Sequence, residues 1–286
     1  TFNITFGTDT ITDLSTGDIL VVSSGATANG TNISNFVATN STTNGGVANL
    51  TAGDTGSTII LTNSLSGFYT ITGGSGIDNL TGGSGDDIID GAGGNDNLIG
   101  GNGNDTFNIT AGTDIISDIT TGDILVVSSG ATANGTNISN FVATSSTTNA
   151  GFATLTAGNS GSTITMTNSV SGAYTLNGGS GIDILTGDTD ADTLVGNGGD
   201  DVLDGAGGPD TLTGGSNNDT FKVTSGTDSI TDLSTGDILI VSASATANAT
   251  SISNFVATSS TVNGGTANLT AGNSGSTITM TNSVSG

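Results

Sequence analysis

Residues 73–108 read GGSGIDNLT (73–81), GGSGDDIID (82–90), GAGGNDNLI (91–99) and GGNGNDTFN (100–108), four nonapeptides in one frame. Glycine opens each, aspartate holds the sixth place (Asp78, Asp87, Asp96, Asp105) and a large apolar residue the eighth (Leu80, Ile89, Leu98, Phe107). A second run from Gly178 has five: GGSGIDILT, GDTDADTLV, GNGGDDVLD, GAGGPDTLT and GGSNNDTFK, with Asp183, Asp192, Asp201, Asp210 and Asp219 in the sixth place. The phase outlasts the glycines. Asp114 with Ile116, Asp123 with Leu125, Asp228 with Ile230 and Asp237 with Leu239 keep step, and Asp9 with Ile11 and Asp18 with Leu20 are the tail of an earlier run.

A longer repeat encloses the short one. TFNIT at Thr1 returns at Thr106 and as TFKVT at Thr220, shifts of 105 and 114 that differ by nine, so the second long unit holds one more nonapeptide. Gly286 corresponds to Gly172 and Gly67, just before a glycine-rich block, so the sequence is expected to open and stop in mid-repeat. The expected division is 1–72 Ser/Thr-rich, 73–126 glycine/aspartate, 127–177 Ser/Thr-rich, 178–240 glycine/aspartate and 241–286 Ser/Thr-rich. The Ser/Thr-rich segments carry short apolar clusters such as ISNFVA and STIILT. In STITMT, Ile164 and Met166 face one way and the threonines the other, the period of a strand. They read as further coils of a solenoid with longer turns; no stretch has the period of an amphipathic helix.

Composition narrows the chemistry. Of 286 residues 33% are hydrophobic, 48 are Gly, all 25 acids are Asp, and Lys222 is the one basic residue, giving a net charge of −24. With no His, Cys or Arg, nucleophilic triads and zinc sites lack their residue types, and a nucleic-acid groove lacks its cations. No apolar run approaches the ~18 residues of a membrane span. No amino-terminal signal peptide is visible, and the absence of Cys rules out disulfides.

The nine blocks fit G-G-x-G-x-D-x-U-x, with U a large apolar residue, and so the chain resembles the RTX (repeat-in-toxin, haemolysin-type) calcium-binding family, of the surface-layer or adhesin-like kind. The resemblance covers 81 residues. It implies an all-β parallel β-roll or β-helix solenoid, an elongated rod in which two nonapeptides make one coil and each ion sits between a turn and the turn one coil further on. Each nonapeptide is then a six-residue turn and a three-residue strand. Glycine lets carbonyls converge on an ion, and the short Asp arm holds its oxygen near the turn. Calcium suits such a site because it takes six to eight oxygens in flexible geometry.

The expected ligands are therefore Asp78, Asp87, Asp96, Asp105, Asp183, Asp192, Asp201, Asp210 and Asp219. With them come the carbonyls of Gly73, Ser75, Gly82, Ser84, Gly91, Gly93, Gly100, Asn102, Gly178, Ser180, Gly187, Gly196, Gly198, Gly205, Gly207, Gly214 and Ser216. Asp9, Asp18, Asp114, Asp123, Asp228 and Asp237 are further, weaker candidates, and the two runs give roughly five to seven well-formed Ca2+ sites. Asp188 and Asp190 in place of glycine, and Asn217 in the fourth place, are expected to weaken their turns, Asn217 less because Asn tolerates left-handed backbone.

Like charges stacked about 4.8 Å apart repel, so the chain is expected to fold only with calcium. The function expected is an extracellular, non-enzymatic structural repeat protein that self-assembles into a surface layer, sheath or filament. The alternative is the calcium-binding shaft or accessory module of a giant adhesin or of a secreted toxin or enzyme. Its expected partners are itself, head to tail or in a lattice, and a cell-surface glycan, with no nucleic acid and no membrane span; type I secretion to the bacterial cell surface follows from the resemblance alone.

Competing signals fail on comparison among copies. Asp54-Thr55-Gly56 is matched by Asn159-Ser160-Gly161 and Asn273-Ser274-Gly275, so no paired protease motif exists. Asp86-Asp87 and Asp200-Asp201 are expected to point apart, and Ile60 breaks any regular threonine array of an ice-binding face. Sequons at Asn32, Asn40, Asn49 and Asn137 permit glycosylation.

Overall fold

A computed structural model describes residues 1–272 and 275–285. The Asn273-Ser274 pair and Gly286 of the sequence comparison lie outside the described residues. Short parallel strands joined by turns make up the described chain, with no helix among them. It divides into two compact units, Thr1–Thr136 with Ser146–Phe152, and Asn137–Ser145 with Ala153–Gly286. Each is a parallel β-solenoid.

In unit 1 the nonapeptides supply strands Asn79–Thr81, Ile88–Asp90 and Asn97–Ile99, three residues each as the pattern predicts. They pair at a step of 18: Leu80 with Leu98 in one sheet, Ile89 with Phe107 in another. One coil is thus two nonapeptides, and successive nonapeptides alternate between two faces. Unit 2 repeats this, with Leu185 against Leu203 and Leu194 against Leu212. Parallel strands need no hairpin here because each crossover is the turn itself.

The Ser/Thr-rich segments continue the coils within each unit. In unit 1 Ile59 pairs with Leu80 and Ile71 with Ile89; in unit 2 Ile164 pairs with Leu185 and Ile240 with Val262. Their steps are longer, 20 for Thr27↔Val47 and 21 for Ala48↔Tyr69. The additional residues form a third side: Thr27–Ile33, Asn35–Val37 and Thr43–Asn44 enter three different sheets.

The core is the stack of eighth-place residues. Leu80, Ile89, Leu98, Phe107, Ile116 and Leu125 in unit 1, and Leu185, Leu194, Leu203, Leu212, Phe221, Ile230 and Leu239 in unit 2, are all buried. In the Ser/Thr-rich segments the core is filled by Phe36, Leu50 and Tyr69, and by Phe141, Leu155 and Tyr174. Ile164 and Met166 point inward as the alternation predicts. The Tyr69 hydroxyl meets Ser64 Oγ at 2.6 Å and that of Tyr174 meets Ser169 Oγ at 2.8 Å, which satisfies a polar group that burial would otherwise penalise.

Candidate metal centre

Each sixth-place aspartate ends a turn immediately before its strand, so its side chain turns back under the loop while the next-but-one residue enters the core. Asp78, Asp87, Asp96 and Asp105 in unit 1, and Asp183, Asp192, Asp201, Asp210 and Asp219 in unit 2, are all buried, at most 2% exposed. Asp86 and Asp200 are exposed, so the paired acids do point apart, each accepting a backbone N–H one coil on, from Asn104 and Asn218.

One carboxylate oxygen is used structurally. The Asp78 N–H donates to Asp96 Oδ1 at 2.8 Å and the Asp96 N–H to Asp114 Oδ1 at 2.9 Å. On the other side of the coil the N–H groups of Tyr69, Asp87 and Asp105 donate in turn to Asp87, Asp105 and Asp123. Unit 2 has the same two ladders, Asp183 to Asp201 to Asp219 to Asp237, and Tyr174 to Asp192 to Asp210 to Asp228. Each aspartate after the first of a ladder is therefore clamped by the coil before it through a charge-assisted bond, whereas Asp183, which heads its ladder, has no such clamp on Oδ1. Glu, one methylene longer, does not suit this spacing.

The second oxygen faces the opening of its own nonapeptide. A Cβ added at Gly73 would lie 2.7 Å from Asp78 Oδ2, and one at Gly178 2.7 Å from Asp183 Oδ2. In each case the first-place carbonyl one coil on, of Gly91 or Gly196, presses on the same point. Gly82, Gly187 and Gly196 are bracketed likewise by their own aspartate and by the carbonyls of Gly100, Gly205 and Gly214. The third-place Gly93, Asn102, Gly198 and Gly207 donate N–H groups to the second-place carbonyls of Gly74, Gly83, Gly179 and Asp188, which commits those carbonyls to the backbone. Ser75 and Ser180 tie their turns to the previous coil through Oγ, on the carbonyls of Asp54 and Asn159. Ser84 and Ser216 stand in the third place of their turns and exposed.

Several of these oxygens lack partners. Asp96 Oδ2, Asp114 Oδ2, Asp183 Oδ1, Asp201 Oδ2, Asp210 Oδ2 and Asp228 Oδ2 are buried with no hydrogen bond. An unsatisfied buried anionic oxygen is costly, and a cation is what relieves it. Among the described residues no three carboxylates close on one point, so a cation there completes its shell with carbonyls. Buried carboxylate plus converging carbonyls is a hard-oxygen donor set, which fits Ca2+; the ion supplies two positive charges and accepts six to eight such oxygens.

Burial also raises the affinity of these groups for protons. It pushes the Asp105, Asp114, Asp192 and Asp219 carboxyls up to about 7, and Asp87 and Asp201 to about 6, with neighbouring carboxylates adding to the effect. Asp96, Asp123 and Asp237 are raised by the same burial. Burial also raises Asp210 and Asp228, with the charge of Asp228 adding to the rise of Asp210 and that of Asp204 to the rise of Asp228.

The out-of-block aspartates separate into kinds. Asp114 and Asp228 are buried like the repeats and keep a free oxygen. Asp123 and Asp237 are buried but spend Oδ2 on Thr120 and Ser234, each through N–H and hydroxyl. Asp18 is half-buried and holds Ser15 in the same way, and Asp9 is exposed.

Other aspartates work on the backbone. Asp118 accepts from the N–H groups of Gly100 and Gly101, and Asp232 from Gly214 and Gly215. Asp90 Oδ1 takes the Ala92 N–H and the Thr110 hydroxyl, and Asp204 takes those of Ala206 and Thr224, which holds two alanines at φ 63 and 66. Asn217 stands at φ 86, left-handed as expected. The Asp188-Asp190 turn is tightly bonded: the Asp188 N–H reaches Asp192 Oδ2 and the Asp190 N–H reaches Asp188 Oδ1, both at 2.8 Å. Asp54-Thr55 is an ordinary turn.

Neither a search of curated proteins nor a search of solved structures gives a match. A family model described as RTX calcium-binding nonapeptide repeat (4 copies) matches residues 72–107, 177–212 and 204–230. These stretches hold the ladders from Asp78 to Asp105 and from Asp183 to Asp228, and the ladders run on past them to Asp123 and Asp237. The two glycine/aspartate runs are RTX calcium-binding nonapeptide repeats on a β-solenoid, and Ca2+ is the ion their turns bind.

Proposed function

We propose that the chain is an extracellular structural protein whose solenoid closes when calcium arrives and whose folded units then associate with one another into a layer, sheath or filament. The observation that carries the folding step is the burial of fourteen aspartates against a single basic residue. Deprotonated and unpaired, that many buried carboxylates oppose folding; bound to divalent cations they cross-link neighbouring coils. The ions are held by the sixth-place aspartates of the two runs with first- and third-place carbonyls, and Asp114 and Asp228 extend the set by one rung each.

The five segments divide the labour, 73–126 and 178–240 binding calcium and 1–72, 127–177 and 241–286 displaying Ser, Thr and Asn outward. A structural rather than catalytic role is supported by the repetition itself, since most polar groups in one long repeat recur in the next. Secretion in the unfolded state through low-calcium cytosol fits a fold that needs the ion. Among the described residues no helix is long and apolar enough to cross a membrane.

The test is to purify the chain in EDTA, add calcium, and follow circular dichroism and negative-stain electron microscopy together. A cooperative gain of β-signal with filaments or sheets supports the proposal. A gain of β-signal with isolated particles moves the function to an adhesin shaft or accessory module, and an unchanged signal refutes the folding step.

A further inference from the structure

The second place of a nonapeptide is Gly or a small residue in most turns, but in 187–195 it is Asp188. Asp188 is as deeply buried as the sixth-place aspartates, at 2% exposed. Oδ1 accepts the Asp190 N–H at 2.8 Å and the Ser169 hydroxyl also reaches the carboxylate, while Oδ2 makes no hydrogen bond. The side chain lines a cavity of about 230 Å³ with Thr167, Thr189 and Ser225. Its charge acts on both Asp192 and Asp210, and Asp210 Oδ2 is unpartnered as well. The matching turn of the other long repeat has Gly83 at this position, where an added Cβ would meet Leu61 O at 3.2 Å and no carboxylate.

A buried carboxylate oxygen without a partner, aimed into an oxygen-lined cavity beside Asp192, is a donor that a cation satisfies. All the surrounding donors are oxygens, which selects a hard ion. We propose that Asp188 contributes its own side chain as a cation ligand, making the 187–192 turn of unit 2 a more highly charged and tighter site than the 82–87 turn of unit 1. The inference rests on calcium binding by the repeats and adds a ligand that the nonapeptide pattern does not contain. Since, among the described residues, no three carboxylates close on one point, Asp188 acts with at most one neighbouring carboxylate and with neutral oxygens.

The chain supplies its own reporters. It has two tyrosines and no tryptophan; the Tyr69 N–H donates to Asp87 Oδ1 at 2.6 Å and the Tyr174 N–H to Asp192 Oδ1 at 2.7 Å. The Asp188 charge is also felt at the Tyr174 hydroxyl. Tb3+, a hard ion that takes oxygen donors and luminesces when a nearby tyrosine is excited, therefore reports on these two turns. Titrated into the full chain, Tb3+ should fill two sensitised classes, and Tyr174→Phe should remove the tighter. Asp188→Asn, which keeps the shape and the Oδ1 acceptor, should weaken that class about tenfold and leave the Tyr69 class unchanged. Asp188→Gly, which restores the residue found at Gly83, should do the same and guards against a misfolded Asn variant. A single affinity class, or less than about a twofold change in both variants, overturns the role of Asp188 while leaving calcium binding intact. Absence of any sensitised binding overturns both.

Discussion

Gly196 and Gly198 stand two residues apart in one nonapeptide and make opposite predictions. A Cβ at 196 would fall under 3.0 Å from both Asp201 Oδ2 and the Gly214 carbonyl, the bracket in which a cation is proposed to sit. A Cβ at 198 would meet nothing nearer than Ser180 Cα at 3.8 Å, an ordinary contact. Neither residue is in the left-handed region, so conformational strain does not blur the comparison. Gly196→Ala has to displace a clamped carboxylate or a backbone carbonyl, and overpacking of this kind costs about 1–3 kcal/mol. Gly198→Ala keeps its native contacts and restricts the unfolded chain, a gain of about 0.4–1 kcal/mol. The two variants should thus differ by about 1.4–4 kcal/mol, at least an order of magnitude in the folding equilibrium. Urea unfolding at fixed calcium, followed by circular dichroism, measures the difference, and the calcium midpoint of Gly196→Ala should rise while that of Gly198→Ala stays put. Equal midpoints in both assays would refute the first-place glycine as part of the ion's seat.

Two further outcomes follow from the buried charge. Lys222 lies within strand Thr220–Val223, so trypsin should leave the calcium-loaded chain whole and cut it into two fragments once EDTA is added; rapid cleavage in calcium would contradict the proposed closure. In the absence of calcium, acid should favour the fold. Burial pushes the folded carboxyls of Asp105, Asp192 and Asp219 up to about 7, above their unfolded value of 3.8, so their favourable contribution is complete below the unfolded value and is lost progressively as pH rises from there through about 7. Circular dichroism in EDTA should therefore show more β-structure at pH about 5 than at about 8, and calcium should be needed least at the acid end; the opposite trend would show these aspartates to be solvated.

Much of the solenoid is visible in spacing alone. The nine-residue phase of Asp and apolar residue places the core, the strands and the buried acids, because a period that returns every half coil admits one inward direction. What spacing does not show is how each carboxylate is shared. That Oδ1 is mostly bonded to the coil before it, while Oδ2 takes a second-place N–H in Asp78, Asp87, Asp183 and Asp192 and stays without a partner in Asp96, Asp201 and Asp210, depends on backbone N–H direction, which no residue type encodes. Asp118 and Asp232 sit outside the phase, and only their recurrence with Asp13 at the long period marks them. The difference between Asp114 and Asp123 was also present as a short pattern: Thr120 three residues before Asp123, like Ser234 before Asp237, marks a local hydrogen-bonded turn that competes with the ion. Asp188 looked like damage to its turn, because a pattern built on glycine has no way to register a side chain that replaces a missing contact with a new one.

Because a coil closes after eighteen residues while the unit that is gained or lost is nine, repeat number works as an index with two positions. One added nonapeptide carries the following Ser/Thr segment half a circuit round, so that it starts from the opposite face; two added nonapeptides lengthen the stack and return it to the original one. Recombination between near-identical blocks thus varies orientation and length by separate steps, and neither step creates a new junction, since every inserted aspartate finds the same clamp on the coil before it.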